Sequence, residues 1–73
     1  MKPDERNFLL AVAAGETPRD AGQRLGIPDG RVAYLCEKWV GKGWYDYGVA
    51  ADLGWLTDAG RAVAVELVTG AAP

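Results

Sequence analysis

The stretch "GWLTDAGRAV", residues 54–63, sets a strand against a helix with no loop between them. Gly54-Trp55-Leu56 has the aromatic and apolar character of a strand end. Asp58 and the residues after it have the acid-first, apolar pattern of a helix. Thr57, a favoured N-cap residue, stands at the joint. Any fold open to so short a chain has to place a strand directly against a helix start.

The rest of the chain reads as helices with one change of period. Residues 4–14 form a first helix, with Asp4 and Glu5 at its positive end and Phe8, Leu9, Val12 and Ala13 at helical spacing. Gly15 ends it. In "ETPRDAGQRLGIP" Thr17 caps a second helix, Pro18 suits its first position and Asp20 is placed to reach back to the cap. Gly26 stops that helix and Ile27 packs into the core beneath the turn. "DGRVAYLCEKWVGKG" is a third helix with Asp29 as its cap. Val32, Leu35, Cys36 and Trp39 make its buried stripe, and Arg31, Tyr34 and Lys38 lie on another face.

In "WYDYGVAADLGWL" the period becomes two, with Trp44, Asp46 and Gly48 on one side and Tyr45, Tyr47 and Val49 on the other. Leu53–Leu56 forms the return strand, and Trp44 and Trp55 pack across the hairpin. A last helix over about 58–69 buries Ala59, Val63, Leu67 and Ala62. Residues 1–73 therefore make a single domain, mainly α with a small antiparallel β-hairpin.

Composition removes several function classes. One cysteine, Cys36, allows no intrachain disulfide, and with no histidine a Cys/His zinc site is unavailable. No nucleophile stands beside a base and no glycine loop is built to cradle phosphate, so neither catalysis nor a cofactor is expected. No apolar run approaches the ~18 residues of a membrane span. "MKPDERNFLL" carries acids where a signal peptide has a plain apolar stretch, so a cytoplasmic location is expected.

The formal charge is −2, but it is unevenly spread. Between Thr17 and Gly43, Arg19, Arg24, Arg31, Lys38 and Lys42 outnumber Asp20, Asp29 and Glu37. The hairpin that follows carries only Asp46 and Asp52. A basic middle between acidic flanks is the pattern to weigh for nucleic acid.

"AGQRLGIPDGRVAYLCEKW" resembles the helix-turn-helix of bacterial transcription regulators, with Gly22, Gly26, Ile27, Val32 and Leu35 at the positions of that pattern. "WVGKGWYDY" followed by "LGWLTDAGRAV" resembles the rest of a winged helix-turn-helix of the MarR or PadR kind. The resemblance covers about residues 5–68. It implies a helix-turn-helix over about 17–42, a wing over about 44–56 and a closing helix over about 58–69. In that fold the second wing strand returns to the body where the capped helix begins, and Gly60 allows close packing of that helix on the hairpin.

The resemblance also implies a contact surface for double-stranded DNA. The recognition helix, about Asp29–Lys42, would enter the major groove by its N-terminal residues Pro28, Asp29, Gly30, Arg31 and Tyr34. Arg31 can pair with a guanine edge. Lys38 and Lys42, and Arg19 and Arg24 on the preceding helix, would meet phosphate. The expected function is a small DNA-binding regulator or accessory factor, of a size that suits a phage or plasmid. The alternative is a winged-helix module that binds a protein and not DNA. It is favoured by the wing "YDYGVAAD", which has two acids and no base, and by its residues Tyr45, Tyr47 and Val49. A homodimer or a protein partner would complete a specific DNA site, and only the first and last helices can supply such an interface. No metal, small-molecule ligand or membrane is expected.

Overall fold

A computed structural model describes residues 1–70. It contains helices α1 (Pro3–Ala13), α2 (Pro18–Leu25) and α3 (Asp29–Lys42), strand β1 (Tyr45–Asp46), a 3₁₀ turn (Ala51–Leu53), strand β2 (Trp55–Leu56) and helix α4 (Asp58–Thr69). β1 and β2 pair antiparallel, with Tyr45 opposite Leu56 and Asp46 opposite Trp55. The architecture is mainly helical with one two-stranded hairpin between α3 and α4.

Local chemistry fixes the α2–α3 corner. The Thr17 hydroxyl accepts from the Asp20 amide at 3.2 Å and starts α2. Gly26 stops it at φ +71°, where only glycine is at ease. The Gly26 and Ile27 amides then donate back to the Gln23 and Gly22 carbonyls, the Schellman arrangement, and Ile27 is buried as expected. α3 begins differently from expectation. Pro28 is its N-cap residue, and Asp29 is the first helical residue with no side-chain cap bond. Proline's fixed φ already holds the extended cap conformation, so Asp29 enters the helix and serves its dipole instead.

The core is an aromatic stack with aliphatic walls. Phe8 from α1 stacks on Trp39 from α3 at 5.1 Å between ring centroids, and Tyr45 meets Trp39 edge-on at 6.1 Å. Leu9, Val12, Ala21, Val32, Leu35, Cys36 and Leu56 close around them. In α1 the buried set includes Ala11, while Ala13 is exposed. Burial pushes the Cys36 thiol up to about 11, so it remains protonated at neutral pH and acts as a small apolar side chain.

The strand-to-helix joint is a dense knot of polar contacts. The Thr57 hydroxyl accepts from the Gly60 amide at 3.2 Å, capping α4, and donates to the Gly43 carbonyl at 2.6 Å. The Thr57 amide donates to the Trp44 carbonyl at 2.8 Å. Gly60 lies against that same carbonyl: a Cβ there would be 2.1 Å from the Trp44 oxygen. The expected close packing at Gly60 is present, and its contact is the chain just before β1.

Three packing expectations are corrected. The buried line of α4 is Gly60 and Ala64 with Val63 and Leu67 half-buried beside them, whereas Ala59 and Ala62 face outward. The outward side of α4 mixes Ala62, Val65 and Val68 with Asp58, Arg61 and Glu66, so the spacing of apolar residues alone does not give the phase of the helix. The strands have two residues each, not four to six, because Ala51–Leu53 winds into a 3₁₀ turn. Trp44 and Trp55 do not pack on each other across the hairpin. Trp44 lies at the core edge, and Trp55 is exposed opposite Asp46.

Candidate nucleic-acid interface

The α2–α3 corner brings two helices together through one glycine. A Cβ on Gly22 would stand 2.6 Å from Val32 Cγ2, a stiff buried side chain, so the absence of a side chain there sets the approach of α2 to α3. The corner leaves Pro28, Gly30 and Tyr34 exposed at the start of α3. Ala33, Glu37, Val40 and Gly41 continue that outward face, so the face itself carries acids and no base.

The expected basic contacts each have a partner within the chain. Arg19 on α2 grips Asp52 of the hairpin by two bonds, at 2.7 and 3.0 Å. Arg24 grips Glu16 at 2.8 and 2.6 Å. Arg31 turns sideways from α3 to α1 and grips Asp4 at 3.0 and 3.2 Å, with its guanidinium 5.7 Å from the Tyr34 ring centre. Lys38 reaches Glu5 at 3.0 Å, and the Lys42 ammonium lies 5.1 Å from the Trp44 ring centre. Hydrogen bonds from these arginines are the largest cause holding Asp4, Glu16 and Asp52 below the ordinary carboxylate range.

Sequence reasoning found the bases but not their carboxylates. Bidentate Arg–carboxylate geometry is strong for an exposed pair, yet such pairs contribute only about 0–1 kcal/mol. The side chains of Arg19 and Arg24 are more than half exposed, so their pairs can exchange partners. Lys38 differs, because Glu5 is buried and also accepts from the Trp39 indole at 3.0 Å. Lys38 is thus part of the α1–α3 core contact. Glu5 was legible only as an acid at a helix start, and its buried role had no local signal.

The Arg19–Asp52 pair spans a shallow groove between α2, α3 and the 3₁₀ turn, with Gln23, Asp29 and Ala33 on its walls. The hairpin is thereby tied back to α2 over the start of α3. Beyond the tie, Tyr47, Val49 and Trp55 are exposed, with Val49 at 98%. Tyr45 does not join this surface. It is buried, its hydroxyl accepts from the Gly54 amide at 2.8 Å, and it donates to the Ala51 carbonyl.

Among the described residues no cluster of three or more acids, cysteines or histidines could hold a metal, and no helix is long and apolar enough to cross a membrane. Comparison with known proteins gives no matching family model, no matching curated protein and no matching solved structure.

Proposed function

We propose that this chain is a small winged helix-turn-helix factor that lays α3 into the major groove of double-stranded DNA. The observation that carries the reading is the α2–α3 corner. Gly22 packs against Val32, Gly26 turns the chain, and the first turns of α3 stand clear with Gly30 and Tyr34 exposed and Arg31 alongside. Gly30 adds no side chain between helix and base edges, and a Cβ there would meet nothing within 4 Å. Arg31 swings from Asp4 to a guanine edge or a phosphate, and Tyr34 follows one turn later. Arg19 and Arg24 exchange carboxylate for phosphate along α2.

The paired carboxylates set the strength of such binding. Asp52, Glu16 and Asp4 remain beside each arginine and repel the duplex, so one domain makes few net phosphate contacts. Weak binding with a shallow salt dependence follows. The test is fluorescence anisotropy with random duplex at about 50 and about 200 mM salt, where a binder using few phosphates loses affinity modestly. Arg31→Ala and Tyr34→Ala should each weaken binding. No binding at tens of micromolar protein in the lower salt, or variants equal to wild type, overturns the reading.

The hairpin supports a second reading, a protein-binding module. Tyr47, Val49 and Trp55 are exposed together beside Asp46, and the hairpin has no base to meet phosphate. On this reading partner binding survives Arg31→Ala and is lost in Val49→Asp.

A further inference from the structure

An open cleft of about 320 Å³ runs between the start of α1 and α3, lined by Met1, Lys2, Glu5, Arg31, Tyr34 and Lys38. Its hydrogen-bonding groups are one-sided. Every carboxylate oxygen beside it already has a donor: Asp4 takes Arg31 Nε, Arg31 Nη2 and the Glu5 amide, and Glu5 takes the Lys38 ammonium and the Trp39 indole. The donors are less fully used. Arg31 keeps Nη1, and Lys38 has formed one bond from an ammonium with further N–H groups. Among the described residues the Lys2 side chain makes no hydrogen bond or ion pair, and the Tyr34 hydroxyl makes no hydrogen bond.

We propose that this cleft is a seat for a phosphate group. Unused donors without unused acceptors call for a ligand that only accepts, and a phosphate is one. The charges agree. Lys2, Arg31 and Lys38 stand against Asp4 and Glu5, which leaves the group positive. The acids of α3 itself do not line the cleft: Asp29 is on the wall of the α2–α3 groove and Glu37 is on the outward face. The seat is also held from behind. The Glu5 side chain is only 3% exposed and fixes Lys38, while Asp4 fixes Arg31. The side chains of Arg31 and Lys38 are 26% and 35% exposed, and cations so far removed from water attract an anion more strongly than fully wetted ones.

A phosphate in the seat meets Arg31 by Nη1 and Lys38 by its unused N–H groups, so neither has to leave its carboxylate. Lys2 closes on it from α1, and the Tyr34 hydroxyl stands beside it. A guanine edge, in contrast, still needs Arg31 to leave Asp4. The phosphate has two sources, the backbone of a duplex or a free phosphate ion. The first rests on the DNA reading and adds Lys2 and the start of α1 to that interface. The second does not depend on it.

The test titrates the full ¹⁵N-labelled chain with inorganic phosphate, and with chloride at matched ionic strength and pH. Phosphate should move the Glu5, Tyr34 and Lys38 amides and the Trp39 indole, saturating in the millimolar range, and chloride should not. Lys2→Ala should weaken this binding at least about twofold, and Lys2→Glu should abolish it. Lys2 is exposed and makes no bond, so thermal melting of both variants should match wild type, which separates a lost seat from a lost fold. Shifts equal to those in chloride, shifts away from the cleft, or binding indifferent to Lys2→Glu overturn the proposal. Duplex anisotropy then separates the sources. A Lys2→Ala that binds duplex more weakly, with a salt slope shallower by about one, assigns the seat to a backbone phosphate. Phosphate binding with duplex affinity unchanged, or with no duplex binding at all, assigns it to a free phosphate, and only the last of these also removes the DNA reading.

Discussion

The carboxylate of Glu5 accepts a hydrogen bond at 3.0 Å from the indole of Trp39, 34 residues away and fully buried. Its other oxygen takes the Lys38 ammonium at 3.0 Å. Burial pushes this carboxyl up, but the bonds from Trp39 and Lys38, with the charges of Lys38 and Arg31, outweigh that and hold it below its ordinary 4.5. Glu5→Ala leaves a buried indole N–H unpaired and should cost about 3 kcal/mol. Urea unfolding at neutral pH measures it, and a loss under about 1 kcal/mol would make Glu5 an ordinary surface acid.

The same group gives the domain an acid limit. A carboxyl depressed in the folded state binds protons more readily when unfolded. Its stabilisation is complete above about 4.5 and is lost as pH falls through the folded value. Asp4, Glu16 and Asp52 act in the same direction. Stability measured from pH 7 to pH 2 should fall in acid, and less steeply in Glu5→Gln.

Tyr45 sets the matching alkaline edge. Burial is the largest cause raising its phenol above the ordinary 10.0. An acid raised by folding gives stability that is whole below the unfolded value and lost as pH climbs past it, so unfolding should be favoured above about pH 10. Tyr45→Phe removes this dependence. It also leaves the Gly54 amide and Ala51 carbonyl without their shared partner and should cost about 1–2 kcal/mol at neutral pH.

Two glycines separate packing from helix propensity. Gly60→Ala places a methyl 2.1 Å from the Trp44 carbonyl oxygen, so backbone must move, at about 2–3 kcal/mol. Gly41→Ala on α3 meets nothing within 4 Å and should stabilise by about 0.5–1 kcal/mol. Thermal melting of the two variants should move in opposite directions.

Asp52→Asn isolates the tie between hairpin and α2. The pair is exposed enough that stability should change by under about 1 kcal/mol. If α3 docks on DNA, the freed Arg19 and the lost negative charge should tighten duplex binding, read by anisotropy. Unchanged affinity would remove Arg19 from the interface.

Element order and the two threonine caps were legible because their causes are local, whereas the cap expected at Asp29 falls on Pro28. Thr17 and Thr57 cap the helices they precede, and Gly26 turns the chain, each within three or four residues. What stayed hidden is non-local. The Glu5 contacts join positions 33 and 34 residues apart, and the Arg19–Asp52 pair also crosses 33. Alternation in "WYDY" separated Trp44 from Tyr45 correctly, but only the core's shape decides that Tyr45 goes in. On α4, apolar residues on both sides hid the phase. The basic middle was visible in the sequence, and its neutralisation, residue by residue, was not.

The Thr57 knot has a consequence for motion. Its hydroxyl and amide hold Gly43 and Trp44, so the end of α3, the base of the hairpin and the start of α4 share one set of bonds. The hairpin cannot open at its base without breaking the bonds from Thr57 to Gly43 and Trp44. Amide deuteration should therefore be slow for Thr57 and Trp44 and fast from Tyr47 to Ala50, where no ladder holds the chain. The hairpin behaves as a stiff stem with a loose tip. Whatever docks on the tip is felt by α3 and α4 as leverage on a fixed root.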